Sequence, residues 1–337
     1  MSSSNSTIMG KELNVMKVLT MFLVVLGHIT NKYGPNAIVE HAIEIPFFES
    51  LSVIIYKFHM PAFFAISGAV YYICKRKLGK YKNEKAFVIK KFHRLVIPYA
   101  VFALCWVLPC MYIVGKVDTS LPRYIFYSYI VGLNSRHLWY LYALFGIFVL
   151  FSLMEETAFK RPKTILIILL LFYFSSPHIL YYFQASSIAT YMIYFYIGYI
   201  SYNWCDKMQH KAVLVVVSVL LFVVLCHVEK SIYHPLASSL FSLLEALSGT
   251  LFLYGGSSLL TERTKIVRNC FFAHLSRNSF GIYLFHPMLI YYMFFFTMRI
   301  NINPYFFSIL CLLTTYLLSS LLTDMTRKAK IGFVIGE

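Results

Sequence analysis

The chain has 337 residues, 59% hydrophobic and only 13% charged, with 30 Lys and Arg against 14 Asp and Glu for a formal net charge of +16. Soluble globules are usually near one quarter charged, so the composition excludes an ordinary water-soluble enzyme and indicates a membrane protein. The apolar residues fall in blocks of about 18–25, the length of a bilayer-crossing helix, without the alternation of barrel strands.

The fold expected is all-α and polytopic, with about ten transmembrane helices near 13–31, 50–74, 88–113, 137–154, 163–177, 187–204, 212–228, 239–260, 272–297 and 304–323. Spans five and six are the least regular, because Ser175-Ser176-Pro177 and Gln184 to Ser187 interrupt a Tyr/Phe-rich stretch. No segment between spans is long enough to bury a core of its own, so the chain reads as one membrane-embedded domain, 1–337, with its core at about 11–325. With both termini cytoplasmic, the inner loops hold 18 Lys and Arg and the outer loops six: Lys32, Lys116, Arg123, Arg136, Lys230 and Arg299. The positive-inside rule favours that orientation, and the excess charge then reports topology rather than nucleic-acid binding. The Asn5-Ser6-Thr7 sequon falls on the cytoplasmic side, and no cleavable signal peptide is evident before the first span.

The first span carries Lys17 and His28, two ionisable side chains where apolar ones are cheaper. Eleven residues return a helix to within about 20° of its starting direction, so both lie on one stripe, about 16 Å apart. Span two contains Phe58-His59-Met60-Pro61 and Phe63 to Gly68. Pro61 should bend the helix near His59, while Ser67-Gly68 reads first as a small-residue packing seam.

Span three opens with Lys90-Lys91-Phe92-His93-Arg94, and Lys91 and Arg94, one turn apart at a helix N-terminus, would suit a phosphate. Span four begins His137-Leu138-Trp139-Tyr140, with Trp139 an interfacial or substrate-facing residue. Glu245, midway along span eight, needs a partner, either a structural cation or a ligand. Span nine holds Ser279 to His286, and His286 is either a packing histidine or a member of the site.

The seven cysteines lack metal-ligand spacing and read as small apolar residues. Phosphate-binding glycine loops, H-E-x-x-H and zinc patterns are absent, so no metal is expected.

Taken together, Lys17-x10-His28, Phe63 to Gly68, Lys91-Phe92-His93-Arg94 with Pro98, His137 to Tyr140, and Ser279 to His286 resemble the acyltransferase 3 family of integral-membrane O-acyltransferases, nearest its fucose 4-O-acetylase-like branch. The resemblance runs from about residue 11 to 325. It implies an enzyme of the bacterial plasma (inner) membrane that moves an acetyl group from cytoplasmic acetyl-CoA to a sugar hydroxyl of a surface polysaccharide, an O-antigen or its lipid-linked precursor. The extra periplasmic esterase-like domain of larger members is not found in this sequence, so acyl delivery is expected within the membrane domain. The partners expected are therefore acetyl-CoA, a glycan acceptor and membrane lipid, with no nucleic acid.

By matched position, His28 corresponds to the family's essential histidine, Lys17 to its basic residue on the first helix, and Lys91 and Arg94 to its basic pair. Lys stands at 17 and 91 where many members have Arg, which exchanges bidentate anion contacts for point charges. The mechanism this suggests places phosphates on Lys91 and Arg94, Lys17 as an inner anchor, and neutral His28 as the base for the sugar hydroxyl. His59, Ser67 and backbone groups near Pro61 are the candidates for stabilising the thioester oxygen. Gly68, Trp139, Glu245 and His286 complete the candidate substrate residues. Direct transfer and an acetyl-histidine intermediate both remain open. The rival reading is a transporter or flippase for a lipid-linked saccharide.

Overall fold

A computed structural model describes residues 10–34, 44–205, 209–297, 300 and 302–337. The Asn5-Ser6-Thr7 sequon, Lys207 and Arg299 lie outside these residues, as do the side chains of Cys205 and Arg268. The chain is all-helical, with no strand among the described residues.

The long helices are α1 (Lys11–Tyr33), α2 (Pro46–Lys77), α3 (Glu84–Ile113), α4 (Arg136–Lys160), α5 (Pro162–Ser175), α6 (Ala185–Cys205), α7 (Lys211–Glu229), α8 (Pro235–Arg263), α9 (Cys270–Thr297) and α10 (Pro304–Lys328). Eight of them, all but α5 and α6, are long and apolar enough to cross a bilayer. The sequence predicts ten crossings, and the two exceptions have physical causes. With 14 residues, α5 reaches about 21 Å, short of a hydrocarbon core of about 30 Å. The 21 residues of α6 include five tyrosines, whose hydroxyls lower its apolarity.

Proline opens α2, α5, α8 and α10 at their first turn, where its missing N–H costs nothing. Hydroxyls inside the helices are satisfied locally. Thr20 donates to the Met16 carbonyl at 2.6 Å, Thr30 to Leu26 at 3.0 Å and Thr323 to Ser319 at 2.7 Å. A polar side chain bonded within its own helix needs no partner from lipid.

Burial separates the centre from the rim. The apolar windows of α1, α2 and α9 are each 61% buried, whereas that of α7 is 11% buried, so α7 is a peripheral helix packed on α8. Helix α1 is central, touching α2, α8, α9 and α10. Helices α2 and α6 meet backbone to backbone. A Cβ at Gly68 would lie 1.8 Å from the Phe195 carbonyl oxygen, and one at Gly198 would lie 2.0 Å from that of Ala65. This close approach supports the small-residue seam reading of Gly68.

On the other side of α2, Phe58 fills the space beside Gly249 of α8, where a Cβ would come within 2.5 Å of it. Near the basic ends of the helices, Arg76 of α2 bonds Glu155 (2.7 Å) and Glu156 (2.9 Å) of α4, while Tyr199 of α6 donates to Glu155 at 2.5 Å. Cys74, Cys110 and Cys311 are buried as small apolar residues, but Cys105 and Cys270 are exposed.

Gly68→Ala is expected to force α2 and α6 apart, at a cost of about 1–3 kcal/mol typical of overpacking. Thermal unfolding in detergent should show a lower midpoint than the parent chain, and an unchanged midpoint would mean that the seam is not tight.

Candidate active site

At the basic end of α1 cations gather beside one acid, Glu12, which accepts from the Tyr202 hydroxyl at 3.2 Å. Lys17 donates to the Ser276 carbonyl of α9 at 2.8 Å, and Ser276 in turn donates to Asn14 at 3.3 Å. Arg94 of α3 lies within electrostatic reach of both Lys17 and Lys91. The Lys91 ammonium stands 3.8 Å from the centre of the Phe148 ring. No ion pair holds Lys17, Lys91 or Arg94 among the described residues.

One expectation about this pair needs correction. The helix carrying Lys91 and Arg94 begins at Glu84, capped by Asn83, rather than at residue 88. Its backbone N–H groups at 91–94 are therefore spent inside the helix, and an anion here can be held only by side chains. A π-helical turn, Phe92–Val96, follows Lys91 and widens the helix at Arg94. Beside it is a cavity of about 300 Å³ lined by Lys80, Tyr81, Lys82, Asn83, Phe87 and Lys90.

His28, eleven residues along the same helix, enters a cluster of rings. Its Nδ1 is 3.3 Å from the Tyr56 hydroxyl, and its ring centre is 5.2 Å from that of His286. His137 stands 6.0 Å from His286, and Tyr56 lies edge-on to His59 at 4.8 Å.

Three of these histidines have fixed tautomers, because a carbonyl oxygen can only accept. His59 Nδ1–H donates to Ile55 (2.8 Å), His286 Nδ1–H to Ile282 (2.9 Å) and His137 Nε2–H to Leu284 (3.2 Å). Tyr283 of α9 donates to the His137 carbonyl, so α4 and α9 pin one another here. His286 Nε2 and His137 Nδ1 are buried and unpartnered. Pro61 follows His59, and Pro287 follows His286, interrupting the helical hydrogen bonding beside both rings. Among the described residues, no three His, Cys, Asp or Glu side chains are arranged to hold a metal ion.

Tyr56 also borders a cavity of about 210 Å³ between α2, α6 and α8, lined by Lys57, Pro61, Thr190, Tyr191, Ser242 and Glu245 among others. Glu245 is fully buried. Its Oε2 accepts from Lys57, which also pairs with Glu229, so the structural cation expected for it is present. Its Oε1 has no partner. Trp139 packs 5.0 Å from Tyr191, behind the cavity wall. Ser67 lies off this site, because its hydroxyl donates to Phe63 at 2.9 Å and meets the Tyr140 hydroxyl at 3.3 Å. Neither partner is His28.

The geometry thus consists of a cationic mouth, a buried histidine cluster one helix-length away, and a tyrosine-lined chamber beside it. A family model described as an acyltransferase domain, Acyl_transf_3, matches residues 11–331. The chain belongs to the acyltransferase 3 family. Neither a curated protein nor a solved structure matches it. As an acyltransferase 3 protein with eight membrane-length apolar helices, it is an integral-membrane acyltransferase.

Sequence reasoning brings Lys17, His28, Lys91, Arg94, His59, Trp139, Glu245 and His286 forward as acyltransferase residues, and the fold draws His28, His59 and His286 together. Sequence reasoning passes over Tyr56, Lys57 and Tyr191, and names His137 only as part of the span-four motif. Lys57 carries the same signal as Lys17, a charge inside an apolar block. The tyrosines carry none, being 27 residues of one type in a greasy chain.

Lys57→Met should strand two carboxylates, costing about 3–5 kcal/mol as for a broken buried pair. Adding Glu229→Gln and Glu245→Gln should restore most of the lost thermal stability. If the single variant melts with the parent, the triad carries no structural load.

Proposed function

We propose that this membrane acyltransferase transfers acetyl from cytoplasmic acetyl-CoA to a sugar hydroxyl of a surface polysaccharide, an O-antigen or its lipid-linked precursor, in the bacterial plasma membrane with both termini inside. The observation that carries the reading is His28, a half-buried imidazole beside Tyr56, between a lysine-rich inner mouth and a tyrosine-lined chamber. Family membership argues against the transporter alternative.

Lys91, Arg94 and the neighbouring lysines attract the donor's phosphates, with the aromatic cavity at Tyr81 and Phe87 suited to a purine face. Lys17 meets the donor deeper along α1. At the other end of the stripe, the base role requires the His28 tautomer whose Nδ1–H donates to the Tyr56 oxygen, leaving a lone pair on Nε2. That nitrogen takes the proton of the acceptor hydroxyl as its oxygen bonds to the thioester carbon. The carbon–sulfur bond then breaks, and the same proton passes to sulfur, releasing free thiol and ester. The tyrosine-lined chamber supports a sugar acceptor, because phenol rings cover sugar faces while Glu245 Oε1, Ser242 and Thr190 meet hydroxyls.

His28→Ala should reduce acetyl transfer by about 10²–10⁴-fold, the usual worth of a positioned base. Acetyl-CoA affinity, measured by titration calorimetry on purified protein, should stay nearly unchanged. Turnover near the parent rate would remove His28 from the chemistry. Lys91→Gln and Arg94→Gln should each weaken acetyl-CoA binding about tenfold, as expected for one charge-assisted contact. An unaltered affinity would take both out of the donor site.

A further inference from the structure

Beyond His28, α1 ends in a short 3₁₀ turn, Asn31–Tyr33. Lys32 lies there, four residues past the histidine and so about 6 Å further along the axis. Counted from sequence as an outer-loop charge, it is only 3% exposed. Its ammonium rests 3.6 Å from the centre of the Tyr291 ring, and it makes neither an ion pair nor a hydrogen bond among the described residues.

Among the described residues, the formal charge that acts on Lys32 is of the same sign. Arg136, at the start of α4, lies within electrostatic reach of Lys32, and its Nε is buried without a partner. Arg136 also adopts a left-handed backbone, φ +53°, a conformation that costs a non-glycine residue about 1 kcal/mol or more. A buried charge beside a half-buried one of the same sign is repelled by it and loses its hydration.

Elsewhere the chain pairs its sheltered cations: Lys57 with Glu229 and Glu245, Arg76 with Glu155, and Arg327 with Asp324 and Glu337. Among the described residues without an ion pair, half-buried Lys75 donates to the Tyr81 carbonyl, while Lys17, Lys91 and the exposed Arg94 stand at one end of α1 and this pair at the other. A site missing only its counter-charge is a site for an anion.

We propose that Lys32 and Arg136 form an anion subsite one turn beyond His28 that binds a negatively charged group of the acceptor, a carboxylate or a phosphate on or next to the sugar being acylated. This rests on the acyl-transfer reading above for its acceptor, but not for its chemistry. An oxyanion bridging Lys32 and Arg136 cancels their repulsion and holds the acceptor by two charges. It also sets the attacked hydroxyl at a fixed distance from the imidazole. The same negative charge offsets the positive charge that develops on His28 when it takes the proton. An acceptor lacking that group should bind the tyrosine-lined chamber loosely.

The test measures binding to full-length His28→Ala protein in nanodiscs, where no turnover intervenes, using methyl glucoside, methyl glucuronide, glucose 1-phosphate and inorganic phosphate. At least one charged sugar should bind about tenfold or more tighter than methyl glucoside. Lys32→Gln and Arg136→Gln should each remove that advantage without changing neutral-sugar binding, and Lys32→Arg should keep it. Preference for the glucuronide identifies a carboxylate, and preference for the sugar phosphate identifies a phosphate.

Equal binding of neutral and charged sugars, or inorganic phosphate binding as tightly as either charged sugar, overturns the acceptor subsite. Should Lys32→Gln fail to fold, Arg136→Gln, on a half-exposed residue, gives the same answer. Acetyl transfer by the parent chain is scored separately on the same sugars and on isolated surface glycan. Lys32-dependent binding without any transfer sinks the enzymatic reading alone, and transfer with no charge preference sinks the subsite alone.

Discussion

Helix α2 is gripped on two sides by contacts that only glycine permits, and the site follows from that grip. At Gly68 and Gly198 it touches α6 main chain to main chain, and at Phe58 it presses on Gly249 of α8. The seam with α6 is tight at one level only. About two turns earlier, at Lys57 to Pro61, tyrosines 191 and 194 of α6 line a cavity against α2, although Tyr191 also stacks on Phe64 at 4.7 Å. The Phe58–Gly249 contact brings Glu245, one turn earlier on α8, within reach of Lys57. One pair of close approaches thus builds both the chamber and the polar triad in its wall.

Electrostatics then sorts the sheltered charges into two kinds. Paired ones join helices: Lys57 ties α2 to α7 and α8, and Arg76 ties α2 to α4. In low dielectric such pairs add specificity more than stability, since desolvation cancels much of their attraction. Unpaired ones gather at the two ends of α1, where Lys17 joins Lys91 and Arg94 of α3 and Lys32 joins Arg136 of α4. Leaving charges unpaired costs folding free energy that a purely structural helix would not spend. The cost makes sense where a ligand brings the missing charges.

Much of this was legible in the residues alone. The membrane class follows from composition, the helices from block length, and Lys17 and His28 from their isolation among apolar neighbours. What depends on two distant segments meeting was not legible. His137 and His286 are 149 positions apart in the sequence, and no local pattern announces that their rings face one another 6.0 Å apart. Lys32 and Arg136 read as loop charges because hydropathy assigns depth by segment, while the fold folds both segment ends inward. The helix start at Glu84 was missed for a related reason. Its first turn is polar and lies outside the apolar block, although Asn83 supplies an ordinary cap by accepting from Ala86 N–H at 3.0 Å.

The surroundings of His28 also bear on how the proposed reaction divides its charge. The ionisable groups acting on it are His286, Lys32, His137 and His59, none of them acidic. A catalytic triad keeps a carboxylate on the far side of its histidine to support imidazolium, and here a phenol, Tyr56, takes that place. A long-lived cation on His28 is therefore poorly supported by the chain itself. Proton transfer from hydroxyl to imidazole to departing sulfur keeps that charge brief, whereas attack by the ring nitrogen would create an acyl-imidazolium among cations and neutral rings. The electrostatics of the site favours direct transfer over an acetyl-histidine intermediate, unless the acceptor supplies the negative charge.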